Sequence, residues 1–310
     1  VISKKDIVSA SRRIAPHIHR TPVLTSRSLN EFFKNELFFK AENFQKGGAF
    51  KIRGACNTIF SLSSKEIVNG VATHSSGNHA QAVAIAASLR KVPAYIVMPG
   101  ASPQVKKAAT KSYGAQITFC ENNLKSRVGT LEKILNRTGA ELIHPYDDDR
   151  IIAGQATVAK ELLEDIPGLD FIFSPVGGGG LASGTCLSAT YFSRSTRVIG
   201  VEPEGADDAF RSLKQGKVME NKKAVTIADG LRGQLSLRTF KILQSHISKI
   251  VTVKDEAISA AMKLLWERMK IVVEPSGAIV LAALLENKLK IKGKRVGLIL
   301  SGGNVDFCSH

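Results

Sequence analysis

Aromatic residues are scarce in this 310-residue chain: they make up 6% of it, with one Trp and four Tyr. A surface that stacks on unpaired bases relies on aromatic platforms interleaved with basic residues, and no such block is present. Cysteine is sparse too. Cys56, Cys120, Cys186 and Cys308 stand far apart with no CxxC pair, which argues against a disulfide framework or a thiolate metal site. Reduced thiols in a cytoplasmic protein are expected. No apolar run approaches the roughly 18–20 residues a membrane span needs. The opening segment VISKKDIVSASRRI lacks the apolar core of a secretory signal. The seven histidines show no HExxH or other ligand spacing, so a catalytic zinc is not indicated. Acidic residues are outnumbered 27 to 43, which leaves a formal net charge of +16. The basic residues are dispersed, so a solvated surface is expected rather than a nucleic-acid face.

What is present is an alternation. Strand-like runs occur at Leu37–Lys40, Gly70–Thr73, Ala94–Met98, Gln116–Cys120, Leu142–His144, Phe171–Val176, Val198–Val201, Lys249–Val253 and Val296–Leu300. Helix-period segments lie among them at Ala80–Leu89, Pro103–Ser112, Lys125–Asn136, Gly154–Leu163, Asp255–Lys270 and Ser276–Glu286. Short strands alternating with helices predict an α/β fold with mostly parallel, open twisted sheets covered by helices. The run of strands and helices over 70–147 predicts a small domain, leaving 1–69 plus 148–310 as a larger, discontinuous one. Hydrophobic content of 44% supports ordinary cores.

Open parallel sheets bind ligands beyond the carboxyl ends of their strands, and the unusual residues of this chain fall there repeatedly. The strand at 171–176 runs into Gly177-Gly178-Gly179-Gly180 and then a helical pattern. Bare backbone followed by a helix start makes a phosphate cradle, although GxxxxGK[ST] and the dinucleotide spacing are both absent. The strand at 70–73 leads into Ser75, Ser76, Gly77, Asn78 and His79 before an Ala-rich helix, a loop suited to a carboxylate. Lys51 sits in GGAFKIRGA, between glycines and a helix start, where apolar neighbours can lower its pKa as Schiff-base chemistry needs. After the strand at 198–201, Glu202-Pro-Glu204-Gly-Ala206-Asp207-Asp208 places four carboxylates in seven residues. They suit either a hard cation such as Mg²⁺ or Ca²⁺, or simply solvent.

A phosphate cradle, a carboxylate loop and a Schiff-base lysine together point to pyridoxal phosphate. GAFKIRGA, SSGNHAQA, GGGGLASG, EPSGA and SGGNVD, in this order, resemble the serine racemase and serine/threonine dehydratase family of fold-type II pyridoxal-phosphate enzymes. The resemblance runs over essentially the whole chain. It implies that Lys51 carries the cofactor, that Phe50 packs beside its ring and that Asn78 meets the ring hydroxyl. It further implies that Gly177, Gly178, Gly179 and Gly180 hold the phosphate and that Ser301 faces the pyridine nitrogen. Ser75, Ser76, Gly77, Asn78 and His79 would receive the substrate carboxylate. Serine racemases resemble this chain in reading SSGNH where typical threonine dehydratases read SAGNH. Ser76 is therefore the expected acid on the face opposite Lys51.

The implied reactions are interconversion of L- and D-serine and elimination to pyruvate and ammonia. The alternative is an ammonia-lyase on serine, threonine or 3-hydroxyaspartate with little racemisation. Glu202, the Ala206 carbonyl and Asp208 match the family's site for Mg²⁺, Ca²⁺ or Mn²⁺. Ser26, Lys46, Gln81, Tyr113, Lys270 and Asn304 match positions that bind ATP as an activator, while Arg27 and Gly47 depart from that pattern. Tyr146 stands where the mammalian pattern has asparagine, and Ala156 replaces the glycine of AGQGT. A homodimer acting on a small amino acid, with neither nucleic acid nor membrane as partner, is what the resemblance implies.

Overall fold

The structure is a computed structural model that describes residues 2–305 apart from 103 and 222, and no side chain at 105 or 106. Pro103 at the expected helix start, Asp306 of the SGGNVD motif and Cys308 lie outside the described residues. Among the described residues, ten strands form two sheets. They are β1 Val23–Leu24, β2 Glu36–Ala41, β3 Val71–His74, β4 Ala94–Pro99, β5 Gln116–Cys120, β6 Glu141–Leu142, β7 Phe171–Pro175, β8 Arg197–Pro203, β9 Lys249–Val253 and β10 Arg295–Leu300. The larger sheet has the order β1-β2-β10-β7-β8-β9 and the smaller β5-β4-β3-β6. All pairings are parallel except β1 with β2. The chain is thus an α/β protein with mostly parallel open sheets under helices.

The last strand explains the centre of the larger sheet. β10 reads RVGLIL and slots between β2 and β7, its Val296, Leu298, Ile299 and Leu300 fully buried. A parallel strand covered on both faces needs such a continuous apolar run. The predicted strand at Leu142–His144 is displaced. β6 ends at Leu142, the Ile143 N–H still reaches the Ala72 carbonyl at 2.8 Å, and the chain then turns at His144. One apolar cluster joins Ile52, Cys56 and Ile59 of helix Lys51–Ser61 to Val71, Ile96 and Met98 of the smaller sheet.

Three helices pack closely on one another, Lys51–Ser61 against Asp149–Asp165 and Asp149–Asp165 against Gly180–Phe192. A side chain at Gly154 would lie 2.6 Å from the Gly54 Cα, and one at Gly184 2.6 Å from the Ala156 nitrogen. These crossings need glycine for close approach, not for unusual torsions. Inside this layer sits a charged quartet. Arg53 donates to Glu42 (2.8 and 2.7 Å) and to Glu161 (2.7 and 2.8 Å), and Lys40 donates to Glu161 at 2.7 Å. Arg53, Lys40 and Glu42 have no exposed surface. Burial opposes the charge on Arg53, but Glu42 and then Glu161 outweigh it and raise its pKa. Two cations and two anions balance, which a dry interior demands. The quartet ties β2 and helix Asp149–Asp165 to the helix that begins at Lys51. Cys56, Cys120 and Cys186 carry free thiols. No helix among the described residues is long and apolar enough to cross a membrane.

Candidate active site

Beyond the carboxyl ends of β3, β7 and β10 the chain enters the segments 75–79, 177–180 and 301. With Phe50 and Lys51 these line one cavity of about 190 Å³. Pro145, Tyr146, Leu231 and Glu274 help to close it. All the residues expected around the cofactor ring, its phosphate and the substrate carboxylate therefore share a single cleft.

The glycine loop is built for an anion. After β7, Gly179 takes the left-handed conformation (φ 88°) and caps helix Gly180–Phe192. A side chain at Gly178 would collide with the Tyr146 ring, and one at Gly177 would come within 3.0 Å of the Leu231 Cα. What remains is bare backbone at a helix start, whose first N–H groups have no helical acceptor. A phosphate fits there, with the helix dipole in its favour.

Lys51 opens its helix, and its Nζ donates to the Pro145 carbonyl at 2.9 Å, 5.3 Å from the Phe50 ring centroid. Burial lowers the amine's pKa to about 8, while Glu274 pulls the other way. A lysine poised so near neutrality is available both as nucleophile and as base. Asn78 donates from Nδ2 to Glu274 Oε1 at 2.7 Å and accepts at Oδ1 from Asn304 Nδ2 at 3.0 Å. The Gly77 N–H donates to Ser75 Oγ at 3.2 Å, and Ser76 is half-buried in the cleft wall. His79 donates from Nε2 to the Ile143 carbonyl at 3.0 Å. Burial, then the Lys51 charge, drops the His79 pKa to about 3, so the imidazole is neutral and brings no cation to a carboxylate. Ser301 donates from Oγ to the Ser276 carbonyl at 3.3 Å, and its own carbonyl accepts from the Phe50 N–H at 3.0 Å.

Glu274 escaped the sequence reading. It is 3% exposed and bonded to Asn78 inside the cleft. Its signal was a lone acid inside the otherwise apolar IVVEPSGAIVLAALL, since an acid in such a run is buried only when something there uses it.

The acidic loop lies apart, at the end of β8. Glu202 is fully buried and accepts from the N–H groups of Ala209 (3.0 Å) and Phe210 (2.7 Å). Asp208, also fully buried, accepts from Asn221 Nδ2 at 2.7 Å and the Leu235 N–H at 3.0 Å. Burial and then Asp208 push the Glu202 pKa well above the usual carboxylate range, and burial lifts Asp208 to about 6. Asp208 opposes the charge on Glu202, and Ala206 lies in the intervening turn Glu204–Ala206; among the described residues no group of three or more His, Cys, Asp or Glu side chains is placed to hold a metal ion. Glu204 is exposed, and the half-buried Asp207, which adds to the opposition to charge on Glu202, is bonded to Arg211 at 2.7 Å.

The six positions expected for ATP are distributed over several segments. Asn304 Nδ2 donates to the Gly47 carbonyl at 2.7 Å, next to Lys46, as well as to Asn78. Asn43 Nδ2 reaches the Val272 carbonyl at 3.1 Å, close in sequence to Lys270. The Lys270 Nζ is bonded to the Glu267 carbonyl and the Ser26 hydroxyl caps helix Arg27–Phe33. Gln81 is buried in helix Asn78–Arg90, and Tyr113 follows helix Gln104–Ser112 at 37% exposure.

Comparison with known proteins agrees with this geometry. The chain is 50% identical to β-hydroxyaspartate dehydratase of Paracoccus denitrificans over 303 residues, covering 98% of this chain and 96% of that protein. It is 47% identical to serine racemase of Dictyostelium discoideum, covering 99% and 96%. The structure of maize serine racemase superposes with a TM-score of 0.97 at 45% identity, over 99% of this chain and 95% of that one. Residues 14–302 match the family described as pyridoxal-phosphate dependent enzymes. The chain belongs to that family.

Proposed function

We propose that this enzyme interconverts L- and D-serine and also eliminates water from serine to yield pyruvate and ammonia. The observation that carries the reading is that the Lys51 amine, the Ser76 hydroxyl and the glycine loop line one cleft. When bound, pyridoxal phosphate supplies the electron sink that makes the α-proton of an amino acid removable. Gly177–Gly180 would hold its phosphate, Asn78 its ring hydroxyl and Ser301 its ring nitrogen, with Phe50 beside the ring. The N–H groups and hydroxyls of Ser75–His79 receive the substrate carboxylate. Lys51 Nζ takes the α-proton from one face and Ser76 Oγ returns a proton to the other. Elimination needs Lys51 alone, because the proton that its Nζ takes from the α-carbon can pass to the departing β-hydroxyl, which leaves as water. The second reading, an ammonia-lyase on a 3-hydroxy amino acid, is favoured by the 50% identity to the hydroxyaspartate dehydratase.

Further parts belong to the same proposal. Glu202, the Ala206 carbonyl and Asp208 hold Mg²⁺ or a similar divalent cation. ATP acts as an activator through Ser26, Lys46, Gln81, Tyr113, Lys270 and Asn304. Residues 70–147 move as a small domain, and the enzyme works as a cytoplasmic homodimer.

Chiral product analysis beside a pyruvate assay tests the reading on L-serine, L-threonine and 3-hydroxyaspartate. D-serine and pyruvate are both expected from L-serine. Ser76→Ala should cut racemisation by about 100-fold, the scale of general acid–base catalysis, and elimination far less. Equal losses overturn the two-face assignment. Ammonia release from 3-hydroxyaspartate with no D-serine establishes the second reading instead.

A further inference from the structure

One turn ties the cleft together by an unusual route. His144 Nδ1 accepts from two backbone N–H groups at once, those of Tyr146 at 3.3 Å and Asp147 at 2.8 Å. An acceptor of two donors carries no proton, so the imidazole is the neutral form protonated at Nε2. Pro145, between His144 and Tyr146, has no N–H to contribute, and the carbonyl of that same residue is the one bonded to Lys51 Nζ at 2.9 Å. The turn is tied from outside as well: the Asp147 carboxylate accepts from Ser236 Oγ at 2.9 Å. Packed edge-on, the rings of His144 and Tyr146 stand with centroids 4.9 Å apart, and Tyr146 covers Gly178 of the glycine loop.

We propose that His144 is a positioning residue for Lys51: its imidazole gathers the turn that aims the Pro145 carbonyl at the Lys51 amine. The free amine needs such an anchor. It sits on a flexible four-carbon stem, and its proton transfer depends on where the nitrogen is held. A carbonyl takes one N–H and leaves the rest of the nitrogen free to face substrate. No contact between His144 and substrate is implied. The effect runs through residues 145–147, and the inference rests on the assignment of Lys51 above.

The test compares His144→Ala with His144→Asn in the holoenzyme. An asparagine carbonyl at this place can accept the same backbone N–H groups. His144→Ala should lower kcat by about 10- to 100-fold, the scale of an ångström of misplacement, with KM changed less than about threefold. It should also alter the visible circular dichroism band of the bound cofactor, which reads the setting of the ring. His144→Asn should recover kcat and that band to within about threefold of wild type. If Asn is as impaired as Ala, or Ala leaves both readouts unchanged, the proposal is overturned. Should Ala fail to fold, His144→Gln sets its acceptor one bond further out. Impairment of Gln beside a working Asn supports the proposal, and equal activity of the two overturns it. Lys51→Ala separates the two levels: if its visible band persists, the Lys51 assignment fails, whatever the His144 variants do.

Discussion

Replacing Arg53 by Met should be costly even though the new side chain is apolar and of similar length. The guanidinium, together with Lys40, neutralises two buried carboxylates and donates four hydrogen bonds to them, with a further bond to Thr157 Oγ1 at 3.1 Å. Without it the quartet changes from neutral to one uncompensated negative charge, because Lys40 alone faces Glu42 and Glu161. Leaving one buried charge unpaired costs about 3–5 kcal/mol, a large part of the roughly 5–15 kcal/mol that holds a typical domain folded. Unfolding entropy of about 2.1 cal/mol/K per residue makes each kcal/mol worth about 1.5 °C in a chain this long. The thermal midpoint of the holoenzyme should therefore fall by roughly 5–8 °C. The assay is thermal unfolding by circular dichroism, with urea unfolding as a second measure. Arg53→Met combined with Glu161→Gln restores charge balance between Lys40 and Glu42. The double variant should be at least about 1 kcal/mol more stable than the sum of the two single losses. A shift below about 2 °C for Arg53→Met, or strict additivity in the double variant, would refute the charge argument.

Three further outcomes are expected. Only the neutral Lys51 amine captures pyridoxal phosphate, so capture by the cofactor-stripped protein should accelerate about tenfold per pH unit below pH 8. It should level off above the amine's lowered pKa of about 8. Glu274→Gln removes the opposing influence and moves that midpoint lower, whereas a rate still climbing toward pH 10 contradicts the burial of the amine. At 100 times its dissociation constant Mg²⁺ should stabilise the fold by about 2.7 kcal/mol. A chelator reverses this gain, Glu202→Gln with Asp208→Asn abolishes it, and a midpoint indifferent to both additions removes the cation site. Gly178→Ala places a methyl group against the Tyr146 ring, so cofactor retention on dialysis should fall about tenfold or more, as a steric cost of one to two kcal/mol implies. Tyr146→Ala in the same chain should recover most of that loss, and no recovery would locate the fault elsewhere.

Much of the site was legible because its residues are locally unusual. Four consecutive glycines, or a lysine between glycines and a helix start, are expensive choices in a folded chain, and the glycine run stands where β7 ends. All nine expected strands overlap observed ones, since period and apolar content are local properties. The two-residue β1 was too short to leave a periodic signal, and the antiparallel pairing of Val23 with Lys40 supplies what its sequence does not.

Apart from Glu274, a lone acid in an apolar run, the residues that were missed are ordinary in sequence and special only in their neighbours. Lys40, Glu42, Arg53 and Glu161 read as surface charges until the fold buries them together, and Glu274 acquires a role only because Asn78, 196 positions away, is brought to 2.7 Å. His144 is one of seven scattered histidines, and only the turn after β6 sets its ring against two backbone donors. The sequence by itself determined the α/β class and picked out the glycine-rich and polar loops after the strands that line the cleft, because these follow from short-range pattern. The tertiary structure alone decided which distant charges share a dry interior, which carbonyl meets the Lys51 amine and how far its pKa falls. Those quantities depend on dielectric and distance between residues far apart in the chain, and no local pattern encodes them.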